Sequence, residues 1–184
     1  IINMFFHPKK KLGQNFLIDK NIINKIVKLG NLDEKKIVLE IGPGYGNLTK
    51  KIIENKPQKI IAIEKDKNLA LFLKNDLKNY NKINILNDDF LKIMESFSSE
   101  KNIIIFGNLP YNISTKILVD LIMLKKWPPW YEKLIFMFQK EVADRIIAKE
   151  GSKDFGRLSV LCNWRLDIKK HFNVSRNCFF PKPK

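Results

Sequence analysis

Short, nearly continuous apolar runs occupy residues 37–41, 60–63, 83–86, 103–106 and 134–138, each the length of a buried strand. Between them apolar residues recur at helical spacing: around Leu48 to Ile53; at Leu69, Phe72, Leu73 and Leu77; at Ile117, Leu118, Leu121 and Ile122, with Ser114 as a cap; and at Val142, Ile146 and Ile147. Ahead of the first run, Asp19 can cap a helix carrying Ile22, Ile23, Ile26 and Val27 on one face, stopped by Gly30. One more strand is expected around residues 166–172, and Trp127-Pro128-Pro129-Trp130 reads as a rigid connection packed on the surface. There is no internal repeat and no low-complexity linker. Apolar strands alternating with amphipathic helices imply a parallel sheet covered on both faces. Right-handed crossovers then give an α/β, doubly wound, mostly parallel sheet of Rossmann-like type, one domain over residues 1–184. Ligands are expected at the carboxyl ends of its strands.

Composition narrows this picture. At 45% hydrophobic and 29% charged, the chain is globular rather than disordered. No apolar run approaches a transmembrane span, and Phe5-Phe6 is followed closely by Pro8-Lys9-Lys10-Lys11, unlike a signal peptide. Cys162 and Cys178 make no disulfide framework, and with only His7 and His171 there is no zinc cluster. A cytoplasmic, metal-free monomer is expected. Lys and Arg total 34 against 19 acids, a net charge of +15, and such a field attracts polyanions. A Lys-, Ile- and Asn-heavy composition produces the same charge, so it supports a nucleic-acid partner without deciding for one.

The candidate chemistry falls at the predicted strand ends. Glu40-Ile41-Gly42-Pro43-Gly44-Tyr45-Gly46 follows the first strand and opens a helix. Glycines there let a ligand approach the backbone closely. The spacing is G-x-G-x-G, with Asn47 where the dinucleotide fingerprint needs its third glycine, and no Lys-Ser/Thr ending marks a phosphate loop. Glu64 closes the second strand, where an acid accepts ribose hydroxyls and disfavours a phosphorylated ribose; NAD is second choice. Asp89 closes the third, its carboxylate able to accept an adenine amino hydrogen, with Phe90 offering an apolar face to the ring.

Asn108-Leu109-Pro110-Tyr111 ends the fourth strand. The Asn108 side-chain oxygen and the Leu109 carbonyl can hold both hydrogens of an adenine exocyclic amine, favouring a pyramidal nitrogen aimed at a sulfonium methyl. Pro110 stiffens the loop and Tyr111 can stack on the base. Behind three cofactor elements in order, the loop reads as the catalytic loop of an S-adenosylmethionine-dependent methyltransferase acting on adenine. By itself it is also a common turn after a strand.

With these residues in hand, the sequence closely resembles the ribosomal RNA adenine N6,N6-dimethyltransferases, the bacterial kasugamycin-sensitivity type. The match runs in order through Leu12-Gly13-Gln14-Asn15-Phe16-Leu17, Leu39-Glu40-Ile41-Gly42-Pro43-Gly44, Glu64, Asp89, Asn108-Leu109-Pro110-Tyr111-Asn112-Ile113-Ser114 and Phe138-Gln139-Lys140-Glu141-Val142-Ala143. Residues 151–160 and Phe179-Phe180-Pro181-Lys182-Pro183-Lys184 complete it. The resemblance implies that Gln14-Asn15-Phe16-Leu17 folds over the methionine end of the cofactor. It assigns Asn15, Leu17, Gly42, Glu64, Asp89 and Asn108 to S-adenosylmethionine, to which the reading of the residues adds Gly44 and Phe90. The resemblance places Tyr111 and Phe179 on the two faces of a flipped adenine. Without it, Phe16 and Leu17 read as core and Phe179 as a buried aromatic. The implied partner is small-subunit ribosomal RNA, in immature subunits, with Lys- and Arg-rich loops on the RNA backbone.

In that family a final strand and a small helical domain follow the Pro-x-Pro-Lys segment. This chain stops at Lys184 and starts at Ile1, so a fragment is expected, with an unpaired neighbour beside the strand at 166–172. Among rivals, macrolide-resistance methyltransferases of large-subunit RNA typically carry Ser and Ile where Gly13 and Leu109 stand. A DNA adenine methyltransferase would carry a Pro-Pro pair in the loop. A non-catalytic assembly or transcription factor would need none of Gly42, Glu64, Asp89, Asn108 and Tyr111 together.

Overall fold

The computed structural model describes residues 8–9 and 13–183, and for Tyr111 and Asn112 the backbone alone. Strands β2 (Ile37–Ile41), β3 (Lys59–Ile63), β4 (Ile83–Leu86), β5 (Ile103–Asn108) and β6 (Tyr131–Met137) form one sheet in the order β4-β3-β2-β5-β6, every pair parallel. The order reverses between β2 and β5, which are neighbours though far apart in sequence. Crossovers leave toward opposite faces there, opening a crevice at the strand ends. A separate antiparallel ladder pairs β1 (Phe16–Leu17) with β7 (Phe179–Phe180), two short strands that periodicity does not reveal.

Strand alternation sorts the core into two layers. Leu39, Ile41, Ile61, Ile63, Ile103 and Ile105 face α4 (Phe90–Ile93) and α5 (Tyr111–Ile122), meeting Phe90, Met94, Ile117 and Leu121. Val38, Ile60, Ile104 and Phe106 face α1 (Lys20–Lys28) and α2 (Asn47–Glu54), meeting Ile23, Ile26, Val27 and Ile52. The remaining helices are α3 (Lys67–Asp76), α6 (Lys140–Ile146) and α7 (Arg157–Arg165). Burying each such Ile or Leu contributes roughly 1.5–3 kcal/mol, which is why both layers are almost purely aliphatic.

Several sequence expectations are corrected. Ser114 lies inside α5, which starts at Tyr111 behind Pro110; the Pro110 carbonyl accepts from Ile113 N (3.1 Å) and Ser114 N (3.0 Å), so the helix begins a turn early. The fifth strand of the sheet spans Tyr131–Met137 rather than 134–138, because Tyr131 and Lys133 already pair with Ile103 and Ile104. Trp130 is core, 7% exposed against Phe97, while Trp127 and Pro128 stay at the surface. No strand forms at 166–172 among the described residues. Leu166 and Ile168 pack on α7's cluster and Phe172 on the α1 layer, without backbone pairing to β6. An apolar segment becomes a strand only where a ladder receives it.

Candidate cofactor cleft and catalytic loop

The glycine turn between β2 and α2 is held in a shape other residues resist. Gly42 (φ +68°) donates to Ile63 O (2.9 Å), and Gly44 (φ +59°) lies under the Phe16 ring, which a Cβ would meet at 2.6 Å. Glu64, directly after β3, is 7% exposed. Its Oε2 accepts from Gly44 N (3.0 Å) and its Oε1 from Asp66 N (2.8 Å). Burial pushes its pKa above the ordinary carboxylate range, and those N–H groups pull it partly back. Each oxygen keeps acceptor capacity for a ribose hydroxyl.

At the next strand end, Asp89 caps α4 through Leu91 N (3.1 Å) and pairs with Lys65 Nζ (2.8 Å). Burial would raise its pKa, but the hydrogen bonds from Lys65 and Leu91 outweigh that and hold it low. Asn87 Nδ2 donates to Glu64 O (2.9 Å), stitching the two acid-bearing ends together. Phe90, expected on a pocket wall, is 3% exposed in the α4–α5 layer; its ring fills core.

Asn108 ends β5, and its Nδ2 donates to Asn15 O (2.7 Å). The strap Gly13–Leu17 thereby crosses the strand ends, and Asn47 Nδ2 holds it again at Leu17 O (2.8 Å). Leu109 is 2% exposed with its side chain in the core, anchoring the loop from below. The side chain of Tyr111 lies outside the described residues, as do Leu12 of the strap motif and Lys184. Leu17 and Phe179 are register partners, 5% and 8% exposed in the α1–α2 layer; both sit where the residues alone placed them, in the core. Phe180 is the exposed ring of that pair, at 42%.

Sequence reasoning gave Glu40 no role of its own. It points from the middle of β2 into the aliphatic α1–α2 side, 1% exposed, and its Oε2 has no hydrogen-bond partner. Its pKa is pushed up to about 7, chiefly by burial, with Glu64 adding repulsion and Thr49 opposing. Glu40 lines a cavity of about 20 Å³ together with Phe16, Leu17, Gly42 and Asn108. A buried carboxylate with one unpartnered oxygen at a cavity wall fits a cationic ligand. The signal was legible: an acid inside a buried parallel strand. The donor set therefore suits a nucleoside bearing an ammonium and a sulfonium: acids for ribose and adenine, a glycine cradle, and a buried carboxylate. Among the described residues no His, Cys, Asp and Glu cluster of three or more can hold a metal, and no helix is long and apolar enough to cross a membrane.

With its crevice where the strand order reverses, the sheet has the architecture of class I S-adenosylmethionine-dependent methyltransferases. Within that class the chain belongs to the ribosomal RNA adenine dimethylase family, whose model matches residues 5–184. It is 49% identical over 181 residues to a ribosomal RNA small subunit methyltransferase A of Pelagibacter ubique, covering 98% of this chain and 68% of that protein. With the namesake of Rhizobium etli it shares 40% identity, over 96% of this chain and 65% of the relative. Among solved structures, a dimethyladenosine transferase from Plasmodium falciparum superposes with TM-score 0.81 at 31% identity, over 92% of this chain and 59% of that one. The 23S rRNA methyltransferase ErmE superposes at 0.73 with 28% identity, over 92% and 65%. The chain thus spans about two thirds of the length of the curated relatives it matches.

Proposed function

We propose that this chain is the catalytic part of an enzyme that transfers methyl groups from S-adenosylmethionine to the N6 amines of two adjacent adenosines near the 3′ end of small-subunit ribosomal RNA, during ribosome biogenesis in the cytoplasm. The observation that carries this reading is the orientation of Asn108. Its Nδ2 is engaged by Asn15 O at 2.7 Å, so Oδ1 is the atom left to accept. An acceptor fixed at this strand end, beside the Leu109 carbonyl, suits an exocyclic amine with two hydrogens to give. The cofactor, when bound, supplies a methyl group activated on a sulfonium.

Gly42 and Gly44 admit it against the backbone, Glu64 takes the ribose, Asp89 the adenine amine, Asn15 and Leu17 complete its surroundings, and Glu40 faces its positive end. Asn108 Oδ1 and the Leu109 carbonyl draw on the target amine's hydrogens, concentrating its lone pair on nitrogen, while Pro110 keeps the loop from yielding. The attacking nitrogen becomes cationic, and its proton is acidic enough to leave to water without a dedicated base. We assign Tyr111 and Phe179 the two faces of the flipped adenine; Phe179 reaches it only with the β1–β7 ladder displaced. The net charge of +15 supports an RNA partner, and the protein is expected to act as a monomer without metal.

The likeness to ErmE supports a second reading, methylation of large-subunit RNA. Gly13 and Leu109 favour the first. Incubation with labelled S-adenosylmethionine and either immature small subunits or naked large-subunit RNA separates them. Label in the small-subunit RNA is expected; label confined to large-subunit RNA would replace this proposal with the second.

A further inference from the structure

Asp66 belongs to no part of the site described so far, yet it touches two of them. It is 4% exposed, and its carboxylate collects three donors. Oδ1 accepts from Asn68 N (3.0 Å), the ordinary cap of α3. Oδ2 accepts from Gln14 Nε2 (3.2 Å) and pairs with Lys9 Nζ (2.8 Å), both from the strap side, more than fifty residues earlier. Gln14 is itself held, its Oε1 accepting from Lys9 N (2.7 Å), so Lys9, Gln14 and Asp66 close a ring. From the same residue, Asp66 N donates to Oε1 of Glu64, the acid assigned to the cofactor ribose.

The strap held by this ring covers the cleft. Phe16 lies on Gly44 and, 4.6 Å between centroids, against Tyr45. The space left beneath, about 20 Å³, has Phe16 and Leu17 of the strap on one side and Glu40 and Asn108 on the other, so the strap forms one wall of the cleft. At the far end the strap is retained by backbone pairing of Ile18 N to Cys178 O (2.8 Å) and by the β1–β7 ladder. Near the ribose end, the contacts of Gln14 and Lys9 with Asp66 are what hold it.

The geometry points to Asp66 as a positioning residue that latches the strap over the cofactor through Gln14 and Lys9, while aligning Glu64 through its own N–H. The latch sets how fast a sulfonium nucleoside is admitted and released. The inference rests on the cofactor reading above. Releasing the strap removes two contacts to a carboxylate that is nearly dehydrated, so losing one partner is felt strongly.

The test uses the whole chain and S-adenosylhomocysteine as the probe. Asp66→Ser removes both contacts of the latch and Gln14→Ala removes the one made by the strap itself; the serine retains an N-cap for α3, so the fold is spared. Stopped-flow release of the probe is expected to quicken about ten-fold in both, the scale of a lost hydrogen bond to a charged group, with the loss in KM for the cofactor exceeding that in kcat. Gln14→Lys, which offers Asp66 a cation instead, is expected to restore slow release. Hydrogen exchange at the Phe16, Leu17 and Ile18 amides, measured without ligand, is expected to accelerate in the first two variants only. If the wild-type chain binds no probe, the cofactor reading fails, and the exchange data still judge the latch. Unchanged exchange and release in both Gln14→Ala and Asp66→Ser would overturn the latch itself.

Discussion

At position 40 a carboxylate stands in the central strand with Oε2 unpartnered and a pKa pushed up to about 7, chiefly by burial. Its ordinary value is 4.5, so between there and about 7 the unliganded fold binds a proton that the unfolded chain does not. Stability is therefore fully present below the ordinary value and is lost as pH rises through the folded one, by about 3 kcal/mol in all. Glu40→Gln is expected to melt higher than wild type at about pH 8, with the advantage gone near pH 4.5, in calorimetric scans of the unliganded protein. The same variant is expected to bind S-adenosylhomocysteine more weakly, because the buried partner for an ammonium is gone. A melting point at pH 8 no higher than wild type would mean that the carboxylate is satisfied. At Asn108 the expectation is simpler: Asn108→Ala abolishes the acceptor and leaves Asn15 O unpaired. Methyl transfer is expected to fall by at least about a hundred-fold while filter binding of RNA is largely kept. Loss of both together would mean the loop is misassigned. Gly42, Glu64 and Asn108 were readable because a glycine or polar residue interrupts an apolar run at its end. Asp66 was not, since its partners Lys9 and Gln14 are brought to it only by folding.

Among the elements, the turn between β2 and α2 is held most tightly. Gly44→Ala places a methyl group at φ +59° and within 2.6 Å of the Phe16 ring. It is expected to destabilise by about 1–3 kcal/mol in urea titrations and to lift the strap, seen as faster exchange at Phe16 and Leu17. A variant as stable as wild type, with its strap amides equally protected, would show that the ring can shift aside freely. The helices were legible where a cap and a face coincide: Asp19 accepts from Asn21 N and Ile22 N (2.9 Å each) and opens α1 as expected. They were misread where proline takes the capping role, as at α5. Helix α7 was missed because its apolar positions, Leu158, Leu161 and Cys162, form a short stripe with no side-chain cap at Gly156, and Trp164 and Val160 stay exposed.

In the whole molecule, Arg165 ties α7 to the end of α5 beside the apolar packing of Leu118 and Ile122 on Leu158 and Cys162. Arg165 donates to Ile122 O (2.7 Å) and Leu124 O (3.0 Å) and lies 4.0 Å over Trp164 and 4.7 Å over Trp127. Arg165→Ala strips two carbonyls of their donor and two indoles of their cation, and is expected to cost about 2–3 kcal/mol in a denaturant titration. Arg165→Lys recovers only part, since an ammonium lacks the planar fork. On the scale of charge, the surplus of Lys and Arg makes RNA affinity a salt-dependent quantity. If six or more phosphates are contacted, raising salt from about 50 to 200 mM is expected to weaken binding by about 10³-fold or more. A flat salt response would deny that the charge serves RNA binding.

By itself the sequence determined the five parallel strands, the helices between them and the residues at the carboxyl ends, because strand length, helical spacing and breaks in apolar runs are local properties. Family membership was legible for the same reason: its motifs are short and lie at those ends. The tertiary structure alone decided that the unpaired residues 166–172 form no strand, that Phe90 and Phe179 are core in this conformation, and that one oxygen of the Glu40 carboxylate is left without a hydrogen-bond partner. It alone brought the strap onto Asp66 and Asn108. Pairing, burial and hydrogen bonding between segments fifty to ninety residues apart depend on how layers pack, and no local pattern encodes that.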